Sequence, residues 1–244
     1  MLFRSVAGAG VVLVRLATLL VVSAGILDAC SLLVAAAADL APLERRLTGA
    51  FPDCKITFSF ASSGTLARQV EQGAEFDVFL SASKAFVEKV LAAGAADAST
   101  VRPYARGRIG LWSHKGLKWA NLKKASRISI ANPVHAPYGL AAKQALEQQG
   151  VWESVRPKIV FGENVRQAWQ FAVTGNVDVT IASWSMMRER DGELLPASWH
   201  DPIVQVAVIP KRARNREAAR KFLEWLTSPA GQQILASEGF DPAR

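Results

Sequence analysis

Four stretches of the chain carry residue types that hold an anion. The sharpest is Phe60-Ala61-Ser62-Ser63-Gly64-Thr65-Leu66, where an apolar run passes through two serines and a glycine into an amphipathic segment. Serine is a preferred helix N-cap. Its hydroxyl, the free N–H groups of the first turn and the positive end of the helix dipole all face the same way. Together they form a seat for an oxyanion. Ala36-Ala37-Ala38-Asp39-Leu40 offers Asp39 as an N-cap behind alanines small enough to let something approach the backbone. Asn132-Pro133, followed by Ala136-Pro137-Tyr138-Gly139-Leu140, offers a proline preset for a first helical turn and a tyrosine hydroxyl. Gly162-Glu163-Asn164-Val165-Arg166 offers Asn164 as a cap. Caps occur in every α/β protein, so no single junction identifies a site. Helix starts at the C-terminal ends of strands are nevertheless where open α/β sheets bind ligands.

Positioning these junctions requires strands that alternate with helices. Apolar runs predict strands over 31–36, 56–60, 76–80, 108–112, 127–131, 158–161, 177–182 and 203–209. Leu40, Leu43, Leu47 and Phe51 follow the first strand at near-helical spacing. Further helices are predicted over 66–72, 84–93, 140–149, 165–173, 216–227 and 230–238, several of them stopped by glycine. Buried strands separated by helices make an α/β protein. No low-complexity segment or repeat of fixed period interrupts the pattern.

The 244 residues are half hydrophobic, enough for a substantial core. Arg4 and Arg15 precede an apolar run from Leu16 to Leu27 that ends in small residues near Ala29 and Cys30. This predicts a secretory signal peptide over 1–30, cleaved near Ala29, because the run is short of the ~20 residues a spanning helix needs. Leu27-Asp28-Ala29-Cys30 loosely resembles a lipoprotein box, but Asp28 fits it poorly, so a lipid anchor at Cys30 is the lesser expectation. Cys54 is expected to be a lone half-buried thiol. Without 1–30 the chain holds 27 basic and 20 acidic residues, a net +7. That balance attracts anions. The basic residues are scattered and densest over Lys211–Arg220, which reads as a solvated helix face.

One resemblance is specific. Ala61-Ser62-Ser63-Gly64-Thr65-Leu66-Ala67-Arg68-Gln69-Val70, with Gly73-Ala74 and Asp77-Val78-Phe79-Leu80-Ser81-Ala82, resembles the signature of the molybdate-binding proteins of ABC transporters. Ala131-Asn132-Pro133, Ala136 to Ala141, Asn164-Val165-Arg166 and Pro202-Ile203-Val204-Gln205 agree with it, so the similarity spans about residues 31 to 240. It implies a two-lobed, type II periplasmic-binding-protein fold that closes on its ligand like a Venus flytrap. Lobe 1 is expected over 31–106 plus 206–244 and lobe 2 over 107–205. It implies a monomeric periplasmic protein that binds molybdate, and tungstate with it, for delivery to a membrane permease. No other cofactor and no bare-cation site are implied.

The resemblance also carries residues over. Ser63 falls on the family's serine ligand, and Val165 on a residue that binds through its backbone N–H. Tyr138 falls where some members use a tyrosine hydroxyl. Asp39, preceded by Ala38, aligns with a ligand that is often Ser, Thr or Asn. Ser183 aligns with a family tyrosine, so Tyr138 is expected to replace that contact; Ala38, Ser62 and Ser183 are the weaker candidates. A carboxylate facing a dianion repels it. Either Asp39 caps its helix while the N–H groups of residues 38–40 bind, or the ligand is another oxyanion such as phosphate or sulfate; the capping arrangement is the expectation.

Other classes fit less well. No G-x-S-x-G surrounds a serine, and His114, His135 and His200 stand singly, so catalysis is not expected. No His/Cys cluster has ligand spacing. Nucleic-acid binding would rest on net charge and seven tryptophans, which suit packing between elements better.

Overall fold

A computed structural model describes residues 30–243. The expected signal peptide lies outside the described residues except for Cys30. In chain order the strands are β1 Ser31–Ala37, β2 Lys55–Ala61, β3 Val78–Ser81, β4 Ala96–Gly107, β5 Ile109–Trp112, β6 Ile128–Ala131, β7 Ile159–Gly162, β8 Val179–Ser183, β9 Glu193–Leu194 and β10 Ile203–Pro210. The α-helices are α1 Glu44–Ala50, α2 Ser63–Glu71, α3 Lys84–Ala92, α4 Pro137–Gln148, α5 Trp152–Val155, α6 Val165–Val173, α7 Arg216–Thr227 and α8 Pro229–Ser237. None of the described helices is long and apolar enough to cross a membrane.

Two five-stranded sheets share one plan. Their orders are β2-β1-β3-β10-β4 and β7-β6-β8-β5-β9. In each, the first three strands run parallel and the last two pair antiparallel. The apolar runs explain the centres: every residue of β3, β6 and β8 is buried. Such continuous runs mark strands covered on both faces. The parallel arrangement brings the C-terminal ends of β1, β2 and β3 to one edge of the first sheet, and those of β6, β7 and β8 to one edge of the second. The core of the second sheet continues across to Ala37, Ala38 and Ala82 of the first. The Arg188 guanidinium pairs at 2.9 Å with Glu238, which follows α8, so the lobes are also joined at their rim.

The chain leaves the first sheet between Gly107 and Ile109 and returns before Ile203. The boundary expected between residues 205 and 206 falls inside β10, which pairs with β4 from its first residue, Ile203 opposite Gly107. Its first three residues therefore sit with the first sheet. Strand β4 itself was not expected from the sequence. Its residues alternate poorly in polarity and include Pro103, which an edge strand tolerates because its outer N–H groups need no partner. The basic run Lys211–Arg220 covers a turn as well as the start of α7, and Arg216 pairs with Asp97 at 2.6 Å.

Cys54 is not a lone thiol: it forms a disulfide with Cys30. The register puts Ser31 beside Lys55, so the residues just before them meet, although they lie 24 positions apart in sequence. The bond also occupies the sulfur that a lipid on Cys30 would need.

Candidate functional site

The parallel strand ends of the two sheets face each other across a small hollow. One wall is formed by Ala37, Ala38 and Asp39 at the end of β1, Ala61 to Ser63 at the end of β2, and Ala82 just after β3. The other is formed by Ala136 to Tyr138 at the start of α4 and by Asn164 and Val165 at the start of α6. Three α-helix N-termini thus converge on a small space. Alanines bring backbone close to it because they add no bulk, and among the described residues no lysine or arginine lines it.

The serine pair divides the work at the start of α2. Ser62 is the N-cap: its Oγ accepts from the Thr65 N–H at 3.2 Å and pairs with the Thr65 hydroxyl at 2.8 Å. Ser63 is the first helical residue, and its Oγ accepts from the Ala82 N–H at 2.9 Å. That bond uses acceptor capacity and leaves the Ser63 O–H as a donor at the wall of the hollow. The Gly64 N–H donates at 2.9 Å to the His135 carbonyl on the facing lobe. Glycine is required there, since a Cβ would lie 2.8 Å from the His135 Cβ and 2.9 Å from the Phe86 ring. At α6 the Asn164 Oδ1 accepts from the Gln167 N–H at 3.0 Å, which places Val165 in the first turn with no preceding helical carbonyl for its own N–H. At α4, Gly139 lets the first turn lie against β6, because a Cβ there would be 2.0 Å from the Ala131 carbonyl oxygen.

Asp39 does not cap its helix. It is the second residue of a 3-10 turn, Ala38–Leu43, whose cap is Ala37. Its fully buried carboxyl instead turns into a polar network. Oδ2 accepts from the Tyr138 hydroxyl at 2.9 Å and from Gln205 Nε2 at 2.5 Å. Gln205 Nε2 also donates to the Tyr138 oxygen at 3.0 Å, and the Tyr104 hydroxyl donates to Gln205 Oε1 at 2.7 Å. Asp39 Oδ1 is buried with no hydrogen-bond partner. Burial pushes the Asp39 carboxyl up to about 7, against the opposing pull of the Gln205 and Tyr138 hydrogen bonds. Burial first, and then the Asp39 charge, pushes Tyr138 and Tyr104 well above the ordinary tyrosine range.

Asp39, Ser63, Tyr138, Val165, Ala38 and Ser62 therefore all line one hollow. Ser183 does not: its hydroxyl pairs with that of Ser185 at 2.9 Å, and Ser185 donates at 2.9 Å to the Asp39 carbonyl. The Tyr138 hydroxyl, expected to meet the ligand, is taken up by Asp39 and Gln205. Sequence reasoning missed Gln205 and Tyr104 as partners of Asp39. The available signal was Gln205 itself, a lone amide inside the apolar strand Ile203-Val204-Gln205-Val206, where a buried amide must find partners. No cluster of His, Cys, Asp and Glu that could hold a metal ion occurs among the described residues.

A sequence profile of the bacterial extracellular solute-binding proteins matches residues 32–241. The chain is 35% identical to the molybdate-binding protein ModA of Rhodobacter capsulatus over 193 residues, covering 76% of this chain and 77% of that protein. It is 34% identical to ModA of Azotobacter vinelandii over 199 residues, covering 76% and 79%. The solved periplasmic molybdate-binding protein of Azotobacter vinelandii superimposes with a TM-score of 0.81 at 28% identity, covering 86% of this chain and 98% of that one.

Proposed function

The chain belongs to the bacterial extracellular solute-binding protein family, and from that membership we propose that it binds molybdate outside the cytoplasm and presents it to the permease of an ABC importer. The single observation that carries this reading is the hollow where three helix N-termini and the Ser63 hydroxyl converge without a cation. Dipoles and neutral donors can compensate a tetrahedral dianion and still release it, whereas paired lysines would hold it more indiscriminately.

The energetics support tight binding. Hydrogen bonds to a charged group contribute roughly 1.5–3 kcal/mol each. About six of them outweigh desolvation and closure, and a sub-micromolar Kd needs only about −8 kcal/mol. Size is the sieve. Sulfate and phosphate have shorter bonds and cannot meet every donor at once, and each buried donor left unpaired costs about 1–3 kcal/mol. Tungstate, of matching shape and charge, binds with molybdate. Export through the leader at 1–30 places the protein in the periplasm, where it acts as a monomer.

Titrating the ligand-free protein with molybdate, tungstate, sulfate and phosphate, followed by tryptophan fluorescence or melting temperature, tests the reading. A sub-micromolar response to molybdate is expected. No response to molybdate or tungstate would overturn it. Asp39 favours one second reading, a protonated oxyanion such as hydrogen phosphate, for which a carboxylate is an acceptor. A phosphate response stronger than that to molybdate would select it.

A further inference from the structure

We propose that the anion is captured together with one proton: Asp39 holds a hydrogen on Oδ1 in the occupied site and donates it to an oxygen of the anion. This rests on the oxyanion-binding reading and adds the protonation state that makes Asp39 compatible with it.

The two oxygens of Asp39 are unlike. Oδ2 is saturated as an acceptor, taking Tyr138 Oη and Gln205 Nε2. The Tyr104 hydroxyl holds Gln205 Oε1, which turns the amide NH₂ toward Asp39. Oδ1, on the same residue at the wall of the hollow, is buried without a partner. An ionised carboxylate with one bare buried oxygen is poorly compensated. A neutral carboxyl with its O–H on Oδ1 lacks only an acceptor, and an oxyanion oxygen supplies one. Among the described residues, the surroundings hold no cation that would keep Asp39 ionised. Its ionisable neighbours are Tyr138 from α4 and Tyr104 from β4. Gln205 of β10 and Ser185 after β8 are neutral, and β1 and β2 present alanines. Arg166 of α6 and Glu44 of α1 are exposed. Burial already raises Asp39 to about 7, and a dianion alongside raises it further.

With the lobes parted, water returns the carboxyl toward its ordinary value near ~4. At about pH 8 the free protein then carries an ionised Asp39, and binding takes up one proton from solvent. Calorimetric titration with molybdate at that pH, in buffers of differing ionisation enthalpy, reads this directly. Close to one proton taken up per anion is expected, with Kd rising about tenfold per pH unit between roughly pH 7 and 9, where molybdate itself stays a dianion. Asp39→Asn keeps a donor but cannot titrate. It should bind with no proton uptake and a flat pH profile, and Asp39→Ser should be flat as well. Zero uptake by the unmodified protein, or an unchanged pH slope in either folded variant, would overturn the proposal. Binding with a flat profile in the unmodified protein sinks this inference alone; no binding of molybdate or tungstate at any pH sinks the functional reading with it.

Discussion

At the scale of the residue, two neighbouring serines differ in what they do for the site. Ser62 ties off the first turn of α2, while Ser63 receives the Ala82 N–H and keeps its own proton to give. Ser63→Ala removes a donor to the anion and strands a backbone N–H, so molybdate affinity measured by calorimetry should fall at least tenfold, the equivalent of one charged hydrogen bond. An unchanged affinity would take Ser63 out of the site. Ser62→Ala should act mainly on the helix, lowering stability by about 1 kcal/mol in denaturant titration. The seat at Ser62-Ser63 was legible in the sequence because capping is local chemistry, set by residues three apart. The partners of Asp39 were not, because Tyr138 and Gln205 lie 99 and 166 positions away.

At the scale of the element, close approach is decided by glycine. At Gly107, the last residue of β4, an added Cβ would lie 2.2 Å from the Tyr138 hydroxyl. Gly107→Ala should therefore push Tyr138 off Asp39 and Gln205. A melting temperature lowered by several degrees and an anion affinity weakened more than tenfold are expected, since a buried carboxyl and amide both lose a partner. Gly49→Ala in α1, where nothing lies within 4 Å, is the matched control and should be neutral or slightly stabilising. A melting temperature for Gly107→Ala equal to that of the control would show that the contact is not tight. Helices α6 and α7 fall where periodicity places them, residues 165–173 and 216–227, because each has one apolar face, and Asn164 also caps the start of α6. Strand β4 was invisible to the same reasoning: its pairing with β10 is a long-range choice that its own residues do not announce.

At the scale of the whole molecule, the hollow and the disulfide lie at opposite ends of β1. The Cys30–Cys54 bond ties the N-terminal ends of β1 and β2, and the hollow lies past their C-terminal ends. Closing a loop over a separation of 24 residues stabilises the fold by about 3 kcal/mol on chain-entropy grounds. Cys54→Ser should therefore lower the melting temperature by roughly 10 °C while leaving molybdate affinity within about twofold. A large loss of affinity at a temperature where the variant is folded would show that the two ends are coupled. Polar ties between the lobes include Gly64 to His135, Arg188 to Glu238, Tyr138 to Asp39 and Gln205, and Ser185 to the Asp39 carbonyl. A hinge can break such ties without disturbing either sheet.

The amino-acid sequence by itself determined the α/β alternation and most of the residues around the hollow. Those features depend on short-range patterning, on a cap and the turn that follows it, and on a resemblance carried by contiguous motifs. Only the tertiary structure decided how Asp39 is used and that Cys30 meets Cys54. Each of those outcomes depends on which strand ends share an edge and which lobe faces it. Pairing across a sheet or a cleft is set by the packing of the whole chain, so nothing within a few residues of Asp39 or Cys54 could have specified it.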